Sequence, residues 1–209
     1  MQQPTDAPSG PPSAVVLGFP EGTVVDVEQI DDVNWRLLKE LDYRGNRDLF
    51  QVPAGQGTDF ASVPRVFVWF LPRYGRYTKA AVLHDYLWRV RVPAGMKRID
   101  ADGLFRHAMR ELGVTFLRRW IMWAAVRWGA LTKPDGRKDW WKEAPRVLLV
   151  TVPALPILLP PAMLVAGSLV AFYVVEVIVW VPLKIGHVIQ VKRGKPAKKV
   201  NTPHLRWKL

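Results

Sequence analysis

Between residues 147 and 183 this chain carries a single charged side chain, Glu176, and no other property constrains its fold as strongly. About 20 apolar residues in helical form cross a bilayer, so the run is long enough for a membrane segment. Pro153, Pro156, Pro160 and Pro161 interrupt it, and a proline inside a helix removes a donor and clashes with the preceding turn. The run therefore reads as an irregular first limb and a better helical second limb over 162–181, with Pro160-Pro161 as the turn. Lys133, Arg137, Lys138, Lys142 and Arg146 precede it, and Lys184, Lys192, Arg193, Lys195, Lys198 and Lys199 follow. Cytoplasmic loops collect Lys and Arg, so two basic flanks predict a hairpin or re-entrant segment in a membrane, with both ends on the cytoplasmic side. Trp140, Trp141 and Trp180 stand where indoles favour the interface, with Arg146, Lys184, Lys192 and Arg193 as contacts to lipid. Glu176 is costly against lipid and is expected to face the other limb, another subunit or the interface.

A formal charge of +12 on 209 residues, with a pI near 10.2, calls for an anionic partner. Anionic membrane lipid is the expected one, since each basic residue near such a surface contributes about 1 kcal/mol. Nucleic acid is a second partner class, but no zinc finger, Gly-rich phosphate loop or aromatic RNA platform supports it. With no cysteine in the sequence, disulfides and thiolate metal sites are excluded. Residues 1–13, rich in Pro, Gln, Ser and Gly without Lys or Arg, read as a disordered leader and not a secretory signal.

The stretch between reads as a globular α+β domain over 14–130, joined by a basic linker over 131–146 to the membrane hairpin over 147–183 and a basic tail over 184–209. Val33, Trp35, Leu37, Leu41 and Tyr43 alternate with polar residues as in a half-buried strand, with a bulge at Leu38-Lys39. A turn at 44–47 returns the chain into a strand over 49–52, and a further strand over 23–27 completes a small antiparallel sheet. Ser62 is placed to cap a short helix from Pro64 to Pro72. Three helices are expected over 78–90, 100–112 and 115–128, with Gly113 and Gly129 as stops. On the last, Phe116, Trp120, Ile121 and Trp123 read as core, while Arg118, Arg119 and Arg127 could meet phosphates.

The apolar helix 80–88 contains His84 and Asp85. A buried imidazole needs a partner, and Asp102 shares a helical face with Phe105, Met109 and Leu112 at i+3, i+7 and i+10. His84 and Asp102 are therefore expected to meet, fixing the imidazole tautomer and leaving the other ring nitrogen as a general base. A structural tie between two helices is an equal alternative. Asp85, about 100° round the helix, stands beside this dyad, where it could ligate a cation together with Asp59. The carboxylate of Asp59 could equally accept loop hydrogen bonds. A Ser62-His84-Asp102 triad can be written, but no Gly-X-Ser-X-Gly elbow surrounds Ser62.

The blocks Thr58-Asp59-Phe60-Ala61-Ser62-Val63-Pro64-Arg65, Ala80 through Trp88, and Ala101-Asp102-Gly103-Leu104-Phe105 with Ala108-Met109 resemble, in order and spacing, the phage and prophage family known as domain of unknown function 1353. The resemblance covers about 33–129, leaves the hydrophobic segment outside, and implies phage or prophage origin but no reaction. The helix pair is also similar to that of secreted phospholipases A2. That likeness implies His84 as base, Asp85 as a ligand for Ca2+ and Asp102 as the orienting carboxylate, although the Gly-rich calcium loop and the cysteines of that group are missing. Two functions follow as expectations. One is a membrane-associated structural, tail, ejection or lysis-accessory protein that works with other phage proteins, in the virion or at the host membrane. The other is a membrane-tethered hydrolase of phospholipid or cell wall.

Overall fold

The computed structural model describes residues 17–46, 48–90, 96–194 and 196–205; the expected leader lies outside them. Antiparallel strands come first, then helices, so the α+β class holds, but the strands form two small sheets instead of one. Strands β1 (Val27–Gln29), β2 (Trp35–Leu37) and β5 (Gly57–Thr58) pair in the order β1-β2-β5. Strands β3 (Leu41–Arg44) and β4 (Leu49–Val52) form a separate hairpin with Leu41 opposite Val52 and Tyr43 opposite Phe50. The expected bulge at Leu38-Lys39 is thus a full break between sheets. Residues 38–40 are exposed while Leu37 and Leu41 are buried, so the chain turns to keep both leucines inside. The strand expected over 23–27 begins only at Val27.

Ser62 caps no helix: its hydroxyl donates to the Asp59 carboxylate, and only a single 3-10 turn, Arg65–Phe67, follows Pro64. Helices α1 (Thr78–Val90), α2 (Arg98–Glu111) and α3 (Phe116–Ala130) match expectation within two residues at each end. Gly113 ends α2 with a positive φ of 70°, a conformation that costs glycine little. Gly129 does not stop α3, which runs through it. Phe116 is 66% exposed, not core, whereas Ile121 and Trp123 are buried. The core joins Leu37, Leu41, Tyr43, Phe50 and Val52 of the strands to Ala80, Leu83 and Leu87 of α1 and Phe105 and Met109 of α2.

The largest departure is α4, a single helix of 59 residues, Pro134–Lys192. It absorbs the linker, both expected limbs and the start of the tail, so there is no hairpin turn at Pro160-Pro161. Six prolines lie inside it. Each removes one donor, but Pro153, Pro156, Pro160 and Pro182 stand within a narrow arc of the helix at 100° per residue. The lost bonds fall on one side, and the other side keeps its ladder. An apolar run has no polar partner for backbone groups that would be freed by a turn, which favours continuing the helix. Domain and tail therefore lie at opposite ends of a rod about 88 Å long at 1.5 Å per residue, and the expected placement of both on one side loses its geometric basis. Glu176 has no second limb to face and is exposed.

The first part of α4 packs on the domain. Pro134 stands at its first turn, where a missing donor is harmless. Gly136 lies so close to the end of α3 that a Cβ there would sit 2.2 Å from the Ala130 carbonyl oxygen. Trp140, Ala144 and Val147 then bury against Trp123 and Ala124 in a second cluster. Trp140, expected at a lipid interface, is 4% exposed and belongs to this seam, whereas Trp141 beside it is 75% exposed. Val150, Ala154 and Leu158 continue the contact with the main core. Ala162, one turn beyond Leu158, is still buried, and past it the helix leaves the domain: Met163, Leu164, Phe172, Ile178 and Val179 are more than half exposed.

Candidate functional site

His84 and Asp102 meet as expected, with His84 Nε2 2.7 Å from Asp102 Oδ1. Helix α1 supplies the imidazole on the face it turns to α2, and the ring lies 4.8 Å from that of Phe105. Asp102 is fully buried, and three donors surround it. Trp88 Nε1 donates to Oδ1 at 3.0 Å, and Arg127 Nη1 of α3 donates to Oδ2 at 2.8 Å. Burial pushes the Asp102 carboxyl up, but the hydrogen bonds and charges of His84 and Arg127 outweigh it, and the group is held below the usual carboxylate range. Asp102 is thus an ionised hub that ties three helices together.

Arg127 is itself wholly buried, which corrects its reading as a phosphate contact. A signal for this was present in the sequence: Arg127 shares a helical face with Trp123, Ala124 and Ala130, all buried, so its guanidinium had to meet a carboxylate inside. Trp88 was missed in the same way, as an apolar residue whose indole N-H also needs an acceptor.

Asp85 points to a different layer. Thr58 Oγ1 of β5 donates to its Oδ2 at 2.6 Å, and Arg89 Nη1 of the next turn donates to the Gly57 carbonyl at 2.8 Å. Adjacent residues of α1 therefore bind two layers, His84 the helices and Asp85 the sheet. Burial, and then the nearby Asp59 carboxylate, push the Asp85 carboxyl up to about 7. Between them Phe60 adopts φ +61° and its N-H donates to Thr58 Oγ1 at 2.9 Å. A bulky residue in this left-handed region stores about 1–3 kcal/mol of strain, held here by burial of its ring against Trp35.

Ser62 bonds Asp59, so the Ser62-His84-Asp102 triad does not form through a Ser62–His84 bond. Asp59 and Asp85 feel each other's charge, but among the described residues no group of three or more His, Cys, Asp or Glu is placed to hold a metal ion. Ca2+ takes 6–8 oxygen ligands. Two carboxylates, each already accepting a hydroxyl from Ser62 or Thr58, do not fit that shell.

These residues fall within a recognisable segment: residues 35–126 match the family model described as Protein of unknown function (DUF1353). The chain carries a DUF1353 domain. The match spans β2 through most of α3, holding Thr58, Asp59, His84, Asp85, Trp88 and Asp102 but stopping one residue before Arg127. Helix α4 therefore lies outside the DUF1353 segment while packing on it. No curated protein and no solved structure is detectably similar to the chain.

Of the residues expected to touch lipid, Arg146 and Trp141 are exposed on the domain-packed half of α4, while Trp180, Lys184 and Lys192 lie on its outer half, with Arg193 just after it. Among the described residues one helix, 136–192 in its apolar extent, is long and apolar enough to cross a membrane, and 6% of its most apolar stretch is buried.

Proposed function

We propose that this is a membrane-anchored accessory protein of phage or prophage origin, structural, tail, ejection or lysis-related. In this reading the DUF1353 domain is held at a bilayer by α4, and the His84-Asp102-Arg127 knot maintains the domain and does not react. The carrying observation is the outer half of α4. From Met163 to Leu183 it extends about 31 Å, enough for a hydrocarbon core of about 30 Å, with large apolar side chains uncovered. A core helix of a water-soluble protein would be buried there. In this arrangement the domain and the basic tail lie on opposite faces of the bilayer, and the tail meets anionic headgroups. The phage setting rests on the family resemblance.

The reading against catalysis comes from charge. Asp102 is already balanced by Arg127, so its charge is committed to a buried tie between α2 and α3. Expressed full-length protein should float with vesicles and resist an alkaline carbonate wash; recovery in the soluble fraction would refute the anchor. Mass spectrometry of purified virions then separates a virion component from a lysis or host-directed role.

A second reading, a membrane-tethered hydrolase of phospholipid or cell wall with His84 as general base, is favoured by the Asp59–Asp85 pair and the strained Phe60 beside it. Strain and raised carboxyl groups cluster at working sites. Wild type and His84→Ala, both verified as folded in detergent, should differ in lipid or cell-wall cleavage on this reading; equal activities end it.

A further inference from the structure

Where α3 and α4 diverge, a groove of about 560 Å³ opens between Phe116, Leu117 and Trp120 on one side and Leu149, Pro153 and Ile157 on the other. Its size falls in the range of small-molecule sites. Its mouth is apolar and open: Phe116, Leu117, Leu149 and Ile157 are each more than half exposed. It lies about one turn before α4 leaves the domain, so it faces the start of the stretch that would enter a bilayer.

Arginines from three helices stand at or behind its wall. Arg106 of α2 stacks on Trp120 with its guanidinium carbon 4.4 Å from the ring, and Arg119 of α3 lies 5.1 Å from the Phe116 ring. Arg146 of α4 lines the groove itself. Among the described residues, the carboxylate ion-paired with one of them is Glu143, 3.1 Å from Arg146. Burial, then the charges of Arg119 and Arg110, work against the charge on Arg106, and Glu143 offsets part of this. Two buried donors, Trp120 Nε1 and Arg119 Nε, have no acceptor among the described residues. Buried donors are nearly always bonded, so an acceptor belongs here.

We propose that this groove binds one anionic phospholipid drawn from the bilayer, its phosphate on Arg106, Arg119 and Arg146 and one acyl chain between Phe116, Leu117, Leu149 and Ile157. The inference rests on the membrane reading above and specifies the lipid class recognised. Charge complementarity selects phosphate, and the apolar mouth selects a lipid over a water-soluble phosphate.

The test is native mass spectrometry of the full chain released from detergent micelles doped with phosphatidylglycerol or phosphatidylcholine. Wild type should retain phosphatidylglycerol about tenfold more strongly, a difference of about 1.4 kcal/mol, and excess inorganic phosphate should not displace it. Arg119→Gln with Arg146→Gln should abolish the preference, whereas Arg137→Gln with Lys138→Gln, the same charge loss on an exposed part of α4, should keep it. Leu149→Glu, at a three-quarters exposed position, should also abolish it should the arginine pair fail to fold. Equal retention of both lipids, equal loss in both double variants, or displacement by phosphate would overturn the proposal. Flotation reads the anchor separately. A chain that floats without lipid preference refutes this site alone, and one that prefers phosphatidylglycerol without floating refutes the anchor alone.

Discussion

Asp102 and Arg127 form an ion pair 2.8 Å long with both side chains fully buried. An ion pair in this position adds little to stability over an apolar pair of the same shape, but removing one partner strands the other charge.

Asp102→Asn is therefore expected to destabilise the domain by about 3–5 kcal/mol, measured by denaturant unfolding of the full chain in detergent. Adding Arg127→Met to it should recover part of the loss, because the orphaned guanidinium is gone. Purely additive losses in the double variant would show that the two side chains are not coupled.

Asp85 gives the fold a dependence on pH of opposite sign to that of Asp102. Its carboxyl titrates near 7 in the folded domain and near 3.9 in an unfolded chain. Between those values the folded state holds a proton that the unfolded state releases, so stability falls as pH rises from about 4 to about 7 and then levels. Asp85→Asn should remove this slope and leave the variant more stable than wild type at pH 8, by on the order of 4 kcal/mol, with the gain shrinking toward pH 4. Asp102, held low, contributes stability above about pH 4 that is lost as the pH falls below it. Thermal unfolding at pH 5, 6.5 and 8 separates the two; identical pH profiles for wild type and Asp85→Asn would contradict the burial of the Asp85 carboxyl.

Gly136 fixes the turn from α3 into α4. With a Cβ placed 2.2 Å from the Ala130 carbonyl oxygen, Gly136→Ala forces backbone to move and should cost about 1–3 kcal/mol, with loss of near-UV signal from the Trp123–Trp140 seam. A variant as stable as wild type would mean that α4 docks differently.

Much of the site was legible because it follows from periodicity. His84 and Asp102 each break an apolar helical stripe, and two such groups on neighbouring helices must find each other. The three domain helices were readable for the same reason. The strand from Val33 to Tyr43 was misread because the apolar parity resumes at Leu41 after the break at Leu38-Lys39, so a change of sheet looks like a bulge in one strand. Arg127 was misread because basic residues are usually solvated, although its neighbours at i−4, i−3 and i+3 were all apolar. The hairpin failed on Pro160-Pro161. Proline signals a turn where water can satisfy the freed backbone groups, and an apolar helix offers no such exchange.

The central claim, that residues beyond Ala162 sit in a bilayer as one crossing helix, is tested most directly by single cysteines, since the sequence has none of its own. Cysteines at 165, 172 and 178 in vesicle-reconstituted protein should resist a membrane-impermeant maleimide. Those at 48 and 198 should label from opposite sides. Full labelling along 165–178, or labelling of 48 and 198 from the same side, would contradict it.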